Sequence, residues 1–265
     1  MPCPHCGYRR CWRIRRGHVR CKRCRTEWSS RHWIVPGLRY SEADWRTLLD
    51  AFLRDRTRSA IARETGLKLR RLQAALTVLR QALALEAHGR FRGPVEVDDC
   101  FLGPRWHNRR PWQRFTKRGR GTDQQPVFGV FDRPTGTVAA VVIPRVRWPH
   151  IAPLLRAWIQ DGANVYSDTY SAYRPLRRAG YRHQVVDHGR HEYARGCVSV
   201  NHVESFWGYV KRRFKVTGGL RRHRLPLYLA EWVWRYNHRT LSREAQVKRL
   251  IEMLKEQSIG GKTCT

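Results

Sequence analysis

Three carboxylates occupy positions where a fold could gather them into one acidic site. Asp98 and Asp168 each end a short strand-like run, and Glu204 lies in a helix-like stretch, with 35 residues between it and Asp168. In a strongly basic chain, acidic side chains that gather at one place are expected to bind a cation. Carboxylate oxygens are the ligands that Mg²⁺ prefers in proteins. The pattern therefore predicts a site for Mg²⁺, or Mn²⁺, with these three residues as ligands.

A pair of divalent ions in such a site favours one kind of chemistry. Two ions can clamp the attacking and leaving oxygens of a phosphodiester in line. Strand geometry guides the choice of the first ligand, because Asp98 shares a strand face with Glu96 and Cys100 while Asp99 points to the opposite face. We predict two ions per site, held by Asp98, Asp168 and Glu204, with Asp99 as the alternative to Asp98.

The charge of the chain indicates a polyanionic partner. Its 265 residues include 53 Lys and Arg against 21 Asp and Glu, a formal net charge of +32. Nucleic acid is the usual partner of a protein with so large a positive charge. An anionic membrane is the alternative, but the sequence has no long apolar span and no basic amphipathic helix at a terminus, so no membrane association is expected. No signal peptide precedes the first cysteine, which predicts a cytoplasmic, nucleoid-associated protein.

Basic residues cluster in two segments near the predicted acids. Residues 105–120 hold seven Lys and Arg interleaved with aromatic side chains, a pattern suited to phosphate contact and base stacking. A solvated loop is the alternative there. A second cluster, residues 211–224, surrounds Gly218-Gly219. Together with a basic helix described below, these segments give the predicted DNA-binding residues: Arg70, Arg71, Arg109, Arg110, Lys117, Arg118, Asn201, Lys211, Arg212 and Arg213.

The predicted helix 200–214 carries two further candidates beside Glu204. Asn201 lies one turn before Glu204 and Lys211 seven residues after it, so all three share a face. Asn201 could orient a ligand or contact phosphate, and a helix N-cap is an equally good interpretation. Lys211 could contact the phosphate backbone. The opposite face is predicted to enter the core through Phe206, Trp207 and Val210.

Four of the eight cysteines have metal-ligand spacing. Cys3 with Cys6 and Cys21 with Cys24 form two C-x₂-C pairs, with 14 residues between the pairs. Disulfides are not expected in a reducing cytoplasm, and a tetrahedral four-cysteine zinc site suits this spacing. Four unliganded thiols are the alternative. The sequence predicts one structural Zn²⁺ in a zinc ribbon over residues 1–35.

Residues 38–90 are predicted to form a helix-turn-helix domain. Ser41 can cap a first helix with Asp44 as its capping-box partner, and the apolar stripe of that helix consists of Trp45, Leu48, Leu49 and Phe52. A glycine turn at Gly66 precedes the last helix, which presents Arg70 and Arg71 outward. That last helix is predicted to turn an apolar stripe inward: Leu69, Leu72, Leu76, Leu79 and Leu83. A small helical bundle without DNA contact is the alternative.

The segment 93–225 has the element order of an RNase H-like α/β core. A mixed five-stranded sheet with flanking helices is predicted, and residues 226–265 are expected to form a helical tail. The predicted strands are 95–101, 126–132, 137–143, 164–168 and 181–187. The predicted helices are 150–160, 170–179 and 200–214.

These residues resemble a known family. The chain is similar to the bacterial insertion-sequence transposases that join an N-terminal zinc ribbon to an integrase-like DDE domain. The similar segments are Val95-Glu96-Val97-Asp98-Asp99, Tyr166-Ser167-Asp168 with Tyr173, Asn201-His202-Val203-Glu204-Ser205-Phe206-Trp207, Tyr228-Leu229-Ala230-Glu231 and Arg235-Tyr236-Asn237-His238-Arg239. The chain departs from that pattern at Asp99, where the family usually has Glu, and in its Arg- and Trp-rich segment 105–120.

The resemblance implies a function and a catalytic set. Asp98, Asp168 and Glu204 would be the catalytic triad of a transposase that binds terminal inverted repeats in double-stranded DNA. It would cleave the element ends and join the 3′ ends to target DNA by two-metal-ion phosphodiester transfer. A structure-specific nuclease on the same fold and a non-catalytic, zinc-dependent DNA-binding regulator are the alternatives. Because transposition holds two ends together, a homodimer or larger assembly on DNA is expected.

Overall fold

The computed structural model describes most of the chain and divides it into two compact units. The described residues are 2–3, 5–14, 18–29, 34–35, 38–86, 89–103, 124–190, 192, 194–217 and 220–260. One unit comprises Met1–Leu79 with Ser242–Thr265, and the other comprises Arg80–Leu241. The expected tail 226–265 is thereby divided between the two units. The four-domain division made from the sequence stays a prediction.

The first unit begins with a small antiparallel sheet and continues as helices. The sheet has the order β1-β2-β3, with strands β1 (Cys11–Ile14), β2 (His18–Cys21) and β3 (Glu27–Ser29). The helices are α1 (Glu42–Leu53), α2 (Arg58–Thr65), α3 (Leu69–Ala84, which continues into the second unit) and α7 (Arg243–Gly260).

Local sequence signals explain where the helices of the first unit begin and end. Ser41 and Asp44 form the predicted capping box at the start of α1, which satisfies backbone donors that the helix leaves open. Gly66 ends α2 in the left-handed region with a φ of 66°, a conformation that glycine adopts readily. The predicted apolar stripe of α1 is buried. The inward position predicted for Leu69 is wrong, because its side chain is 57% exposed.

The second unit is built on a mixed five-stranded sheet with the order β6-β5-β4-β7-β8. β4 and β5 are antiparallel, as are β5 and β6, whereas β4, β7 and β8 run parallel. The predicted α/β class with a mixed five-stranded sheet is confirmed. The strands are β4 (Val95–Leu102), β5 (Gln125–Asp132), β6 (Thr137–Val142), β7 (Asn164–Asp168) and β8 (Arg182–Val186).

Helices cover both faces of this sheet. On one face, Val95, Val97 and Val165 share a core with α4 (Trp148–Trp158) and a 3₁₀ helix, Ser171–Leu176. On the other face, Cys100 and Tyr166 share a second core with two helices. Those helices are α5 (Asn201–Val216) and α6 (Leu225–Asn237), and a short hairpin of β9 (Ala194–Arg195) and β10 (Val198–Ser199) precedes α5.

Two details of the second unit differ from or extend the sequence prediction. The α-helix predicted over 170–179 is a shorter 3₁₀ helix containing Pro175, and proline removes a backbone donor that a longer α-helix would need. Asn237 at the end of α6 accepts from the Val138 N–H at 2.8 Å and donates to the Val138 carbonyl at 2.9 Å. That side chain thus pairs with the free edge of β6.

In the part of the chain that the structure describes, none of the helices combines the length and hydropathy that a bilayer crossing needs.

Candidate active site and metal centre

Strand register places Asp98 and Asp168 at the same level of the sheet. β4 and β7 run parallel, with Val95 opposite Val165 and Glu96 opposite Tyr166. Each aspartate lies two residues beyond the last of these pairs, and residues two apart on a strand share a face. Both side chains therefore belong to the face that α5 and α6 cover.

Asp99 faces the other side of the sheet. Its Oδ1 accepts a hydrogen bond of 3.0 Å from the Tyr173 hydroxyl, and Tyr173 belongs to the core on the α4 side. The alternation predicted for this strand is confirmed, since Glu96 and Cys100 contact the α5 side. Of the two neighbouring aspartates, Asp98 is the one that lies on the face of Glu204.

The charges of the neighbouring acids affect the pKa of Asp98. Burial raises the pKa of Asp98 well above its usual range, and the negative charges of Asp99, Asp168 and Glu204 raise it further. A nearby cation would stabilise the charged form of a desolvated carboxylate that has like charges around it. The donor set of carboxylate oxygens suits Mg²⁺ or Mn²⁺.

The other two acids have their own partners. The Asp168 Oδ1 accepts a hydrogen bond of 3.0 Å from the Tyr170 backbone N–H, which orients that carboxylate beyond the end of β7. Glu204 lies in the first turn of α5. Its side chain is 45% exposed, and its Oε1 lies 3.5 Å from the Nδ1 of His188. Glu204 is thus accessible to solvent, whereas Asp98 is half-buried on its strand.

Comparison with known proteins assigns the chain to a family. Residues 90–237 match the sequence model of the ISXO2-like transposase domain, which is more than half of the chain. This chain belongs to the ISXO2-like transposase family. The predicted resemblance to insertion-sequence transposases is confirmed. The matched segment contains all three acids.

Two curated relatives agree with this assignment. A protein of Haemophilus influenzae described as an uncharacterized transposase-like protein is 29% identical over 119 residues, which cover 45% of this chain and 91% of the relative. A protein of Halobacterium salinarum described as an uncharacterized protein in transposable element ISH50 is 34% identical over 146 residues. That match covers 52% of this chain and 50% of the relative, so the chain spans about half of that protein's length.

Basic residues of the transposase flank the acids on α5. Lys211 and Arg212 are exposed, and Arg213 is half-buried. Burial raises the pKa of the Cys100 thiol to about 12, while the positive charge of Lys211 acts in the opposite direction. Since Cys100 shares a face of β4 with Asp98, the charge of Lys211 acts on the same face of the sheet. The predicted contacts Arg109, Arg110, Lys117 and Arg118, like the whole segment 105–120, lie outside the described residues.

The start of α5 differs from one interpretation made from the sequence. The N-cap position is occupied by Val200, so the interpretation of Asn201 as the helix cap is wrong. Asn201 is the first residue of α5 and its side chain is exposed. Its predicted role toward a ligand or phosphate stays a prediction.

Sequence reasoning gave no role to Glu96, which lies at the joint between β4 and α5. The side chain is completely buried, and both of its oxygens accept hydrogen bonds from α5 or from Arg133. One signal was available in the sequence, because an acidic side chain inside an apolar strand needs hydrogen-bond donors or cations around it in the folded protein. Those partners, more than a hundred residues further on in the case of His202, could not be identified from the sequence.

The four paired cysteines come together in the first unit. The sulfurs of Cys3, Cys6, Cys21 and Cys24 all lie within 4.8 Å of one another. The Cys3–Cys24 and Cys6–Cys21 sulfur distances are 3.5 and 3.6 Å, close to the roughly 3.8 Å expected between tetrahedral ligands at about 2.3 Å from Zn²⁺.

Backbone donors complete this cluster. The His5 N–H donates to the Cys3 sulfur at 3.4 Å, and the Arg23 N–H donates to the Cys21 sulfur at 3.3 Å. Hydrogen bonding from Thr26, first from its side chain and then from its backbone, lowers the pKa of the Cys24 thiol to about 6. The Tyr8 backbone acts to lower the pKa of the Cys6 thiol, but burial and hydrogen bonds with the other three cysteines raise it to about 12. Thiolates are the form that binds zinc, and it is the spacing of the four sulfurs that fits one zinc ion.

Proposed function

We propose that this transposase is a DDE-type polynucleotidyl transferase. It binds the terminal inverted repeats of its element, cleaves the element ends and joins the 3′ ends to target DNA. The proposal is supported by the shared sheet face of Asp98 and Asp168, which is the face that α5, the helix of Glu204, covers. Burial raises the pKa of Asp98, and the charges of Asp168 and Glu204 raise it further, an effect that a cation bound among these acids would offset.

The three acids would hold two Mg²⁺ or Mn²⁺ ions. When bound, such ions supply activation of the attacking oxygen and stabilisation of charge on the phosphate. Asp98 would contribute a ligand from β4, and Asp168 would contribute one oriented by the Tyr170 N–H. Glu204 would contribute a ligand from α5, on the solvent side. The exposed Lys211 on the same helix would bind the phosphate backbone beside the acids.

One site suffices for both reactions. Hydrolysis uses water as the nucleophile, and strand joining uses the freed 3′-hydroxyl, so each is an in-line displacement at phosphorus. The leaving group departs as an oxygen anion in both cases and is protonated by solvent. No covalent protein–DNA intermediate is needed, which agrees with a site made of carboxylates rather than of a serine or tyrosine nucleophile.

The architecture supports this proposal at the level of the fold. The element order of the second unit, three antiparallel strands followed by α4, β7, β8 and α5, is that of an RNase H-like core. In the first unit, α2 and α3 are joined at Gly66 in the manner of a helix-turn-helix. Arg70 and Arg71 are exposed on α3. We propose that this unit, with a zinc-bound ribbon, reads double-stranded DNA, and that two copies act together on the two ends.

A strand-transfer assay tests the proposal against its nearest alternative. Labelled terminal-repeat DNA with pre-cut 3′ ends is incubated with target DNA and Mg²⁺. A transposase produces joined products, whereas a structure-specific nuclease shortens the DNA without joining it. A DNA-binding regulator shifts the same DNA in a gel and does neither. Absence of joined products with Mg²⁺ and with Mn²⁺ contradicts the proposal.

A further inference from the structure

A buried carboxylate on β4 holds the beginning of the helix that carries Glu204. Glu96 is completely buried. Its Oε2 accepts from the backbone N–H groups of His202 and Val203 at 2.8 and 3.0 Å. Its Oε1 lies 2.7 Å from the His202 Nδ1. Glu96 therefore fixes the first turn of α5 against the sheet.

These contacts supply a cap that α5 does not provide for itself. The first N–H groups of a helix need acceptors from outside the helix. A polar N-cap side chain usually supplies one, but here the N-cap is Val200, whose side chain cannot accept a hydrogen bond. Glu96 takes this role from another element, and its negative charge also suits the positive end of the helix.

Arg133 extends the same contact to the neighbouring elements. Its Nε donates to the Glu96 Oε1 at 2.7 Å. Its guanidinium also donates to the Ser199 hydroxyl at 2.6 Å and to the Cys197 carbonyl, just before α5 begins. The same guanidinium lies 4.7 Å from the centre of the Tyr166 ring. Glu96 and Arg133 thus join β4, β7 and α5.

Three residues of this contact each lie two positions before one of the three acids. Glu96 lies two residues before Asp98 on β4, Tyr166 two before Asp168 on β7, and His202 two before Glu204 on α5. On a strand, two residues span about 7 Å and share a face, so the contact lies on the same sheet face as Asp98 and Asp168. On α5, residues two apart point to different sides of the helix, so Glu96 holds the turn that carries Glu204 while the Glu204 side chain points elsewhere.

We propose that Glu96, through Arg133 and the first turn of α5, is a positioning residue that sets the spacing of Asp98, Asp168 and Glu204. This inference rests on the function proposed above, because it assigns Glu96 to the same site. Glu96 itself points into the joint between sheet and helix, and its oxygens are used by protein donors. It acts on the metal ligands through the elements that carry them.

Glu231 provides a matched comparison. It is also buried, and it pairs with Arg80 at 2.7 Å and with Arg235 at 2.9 Å. These arginines belong to α3 and α6, and neither helix carries one of the three acids. Loss of either buried carboxylate charge destabilises the fold. Only the loss at Glu96 alters the position of α5 relative to Asp98.

The test uses Glu96→Gln in the full chain, with Glu231→Gln as the control. In Glu96→Gln the amide NH₂ must face donors, either at Arg133 or at the helix N–H groups, so one side of the contact is lost. We expect the Mg²⁺ concentration for half-maximal nicking of terminal-repeat DNA to rise about 10-fold to 100-fold, the range typical for loss of a group that orients metal ligands. Glu231→Gln leaves that concentration within about twofold of the parent. Ser199→Ala, a milder change at the same contact, gives a smaller rise in the same direction.

Hydrogen exchange supplies a readout that does not need activity. The amides of residues 202–204 should exchange at least tenfold faster in Glu96→Gln than in the parent and in Glu231→Gln. Unchanged exchange there overturns the inference, and so does faster exchange with an unchanged Mg²⁺ requirement, because Glu96 would then only stabilise the helix. If the parent never cuts DNA with any divalent metal, both the proposed function and the positioning role are contradicted. If the parent cuts DNA and Glu96→Gln shows the same Mg²⁺ requirement, only the positioning role is contradicted.

Discussion

At the scale of single residues, two adjacent aspartates have opposite environments. Asp98 lies half-buried on the face of α5 and is influenced by like charges, whereas Asp99 accepts a hydrogen bond from Tyr173 on the other face. The chemistry proposed here needs a carboxylate at Asp98, and at Asp99 it needs only an acceptor for the Tyr173 hydroxyl. An asparagine can supply that acceptor.

The first prediction compares Asp98→Asn with Asp99→Asn. Asp98→Asn should lower Mg²⁺-dependent nicking by on the order of a thousandfold, since a metal ligand supplies several kcal/mol and each factor of ten corresponds to about 1.4 kcal/mol. Asp99→Asn should retain nicking within about tenfold. Initial rates on the same labelled duplex measure both. If the larger loss occurs at Asp99, the two assignments are reversed.

Packing at a single glycine fixes how closely α5 lies on the sheet. Gly129 is opposite Asp98 in the β4–β5 register. A Cβ at this position would lie 2.7 Å from the Trp207 ring of α5, closer than carbon atoms approach without a shift. The absence of a side chain here lets the ring rest against the strand beside the acids.

Gly129→Ala is therefore expected to destabilise the second unit by about 1–3 kcal/mol, the usual cost of overpacking. Gly208→Ala, one residue after Trp207 on α5, is the control. Its Cβ would meet only the Arg212 guanidinium at an ordinary 3.6 Å, so alanine should be neutral or stabilising by about 0.5–1 kcal/mol. Urea unfolding measures both changes. Equal stability of the two variants contradicts this account of the α5 contact.

At the scale of elements, sequence patterns predicted the strands of the sheet better than they predicted the contacts between elements. The strand predicted over 164–168 has those bounds, and the strand predicted over 95–101 extends to residue 102. Apolar runs bounded by turn residues are a local signal, so they can be found without the fold. The predicted helix 170–179 is a short 3₁₀ helix instead, because Pro175 limits the backbone hydrogen bonds available there.

The candidate site was predictable in part for the same reason. Alternation along β4 identified which face Asp98 occupies, since that depends only on neighbouring residues. The contact of Glu96 with His202 depends on two elements that meet only in the folded chain, 106 positions apart. No local pattern marks such a pair, and from the sequence the cap of α5 was one of two interpretations of Asn201.

The small sheet of the first unit leads to a prediction about metal. Short strands with few buried residues stabilise little on their own, and structural zinc supplies much of the folding free energy of such elements. The parent chain should contain one tightly bound zinc ion. Cys21→Ser should lose that ion and unfold residues 1–35 while the second unit stays folded.

Cys11→Ser is the matched control for this prediction. Cys11 lies opposite Cys21 in the β1–β2 register, but it is not one of the four clustered cysteines. This variant should keep one zinc per chain. Elemental analysis gives the zinc content, and hydrogen exchange over β1–β3 reports folding. A parent purified without chelators that contains no zinc contradicts the zinc assignment.

At the scale of the whole molecule, the charge is the dominant property. A formal charge of +32 should make DNA binding strongly salt-dependent, because each phosphate that a basic residue neutralises releases counterions. A plot of log K against log salt should be a line with a steep negative slope. Fluorescence anisotropy with a terminal-repeat duplex and an unrelated duplex measures that slope. A flat line for both DNAs would mean that the positive charge is not a DNA-binding surface.

The central claim is that Asp98, Asp168 and Glu204 form a metal-dependent site for phosphodiester transfer. Glu204→Gln is its most direct test, because glutamine keeps the size of the side chain and removes the charge that would hold the ion. Because Glu204 is exposed, this substitution leaves the core packing unchanged. Nicking of a labelled terminal-repeat duplex in Mg²⁺ is measured beside a gel shift on the same DNA. We expect a loss of nicking on the order of a thousandfold with DNA binding unchanged. A variant that nicks as fast as the parent would show that these three acids are not the metal-dependent site.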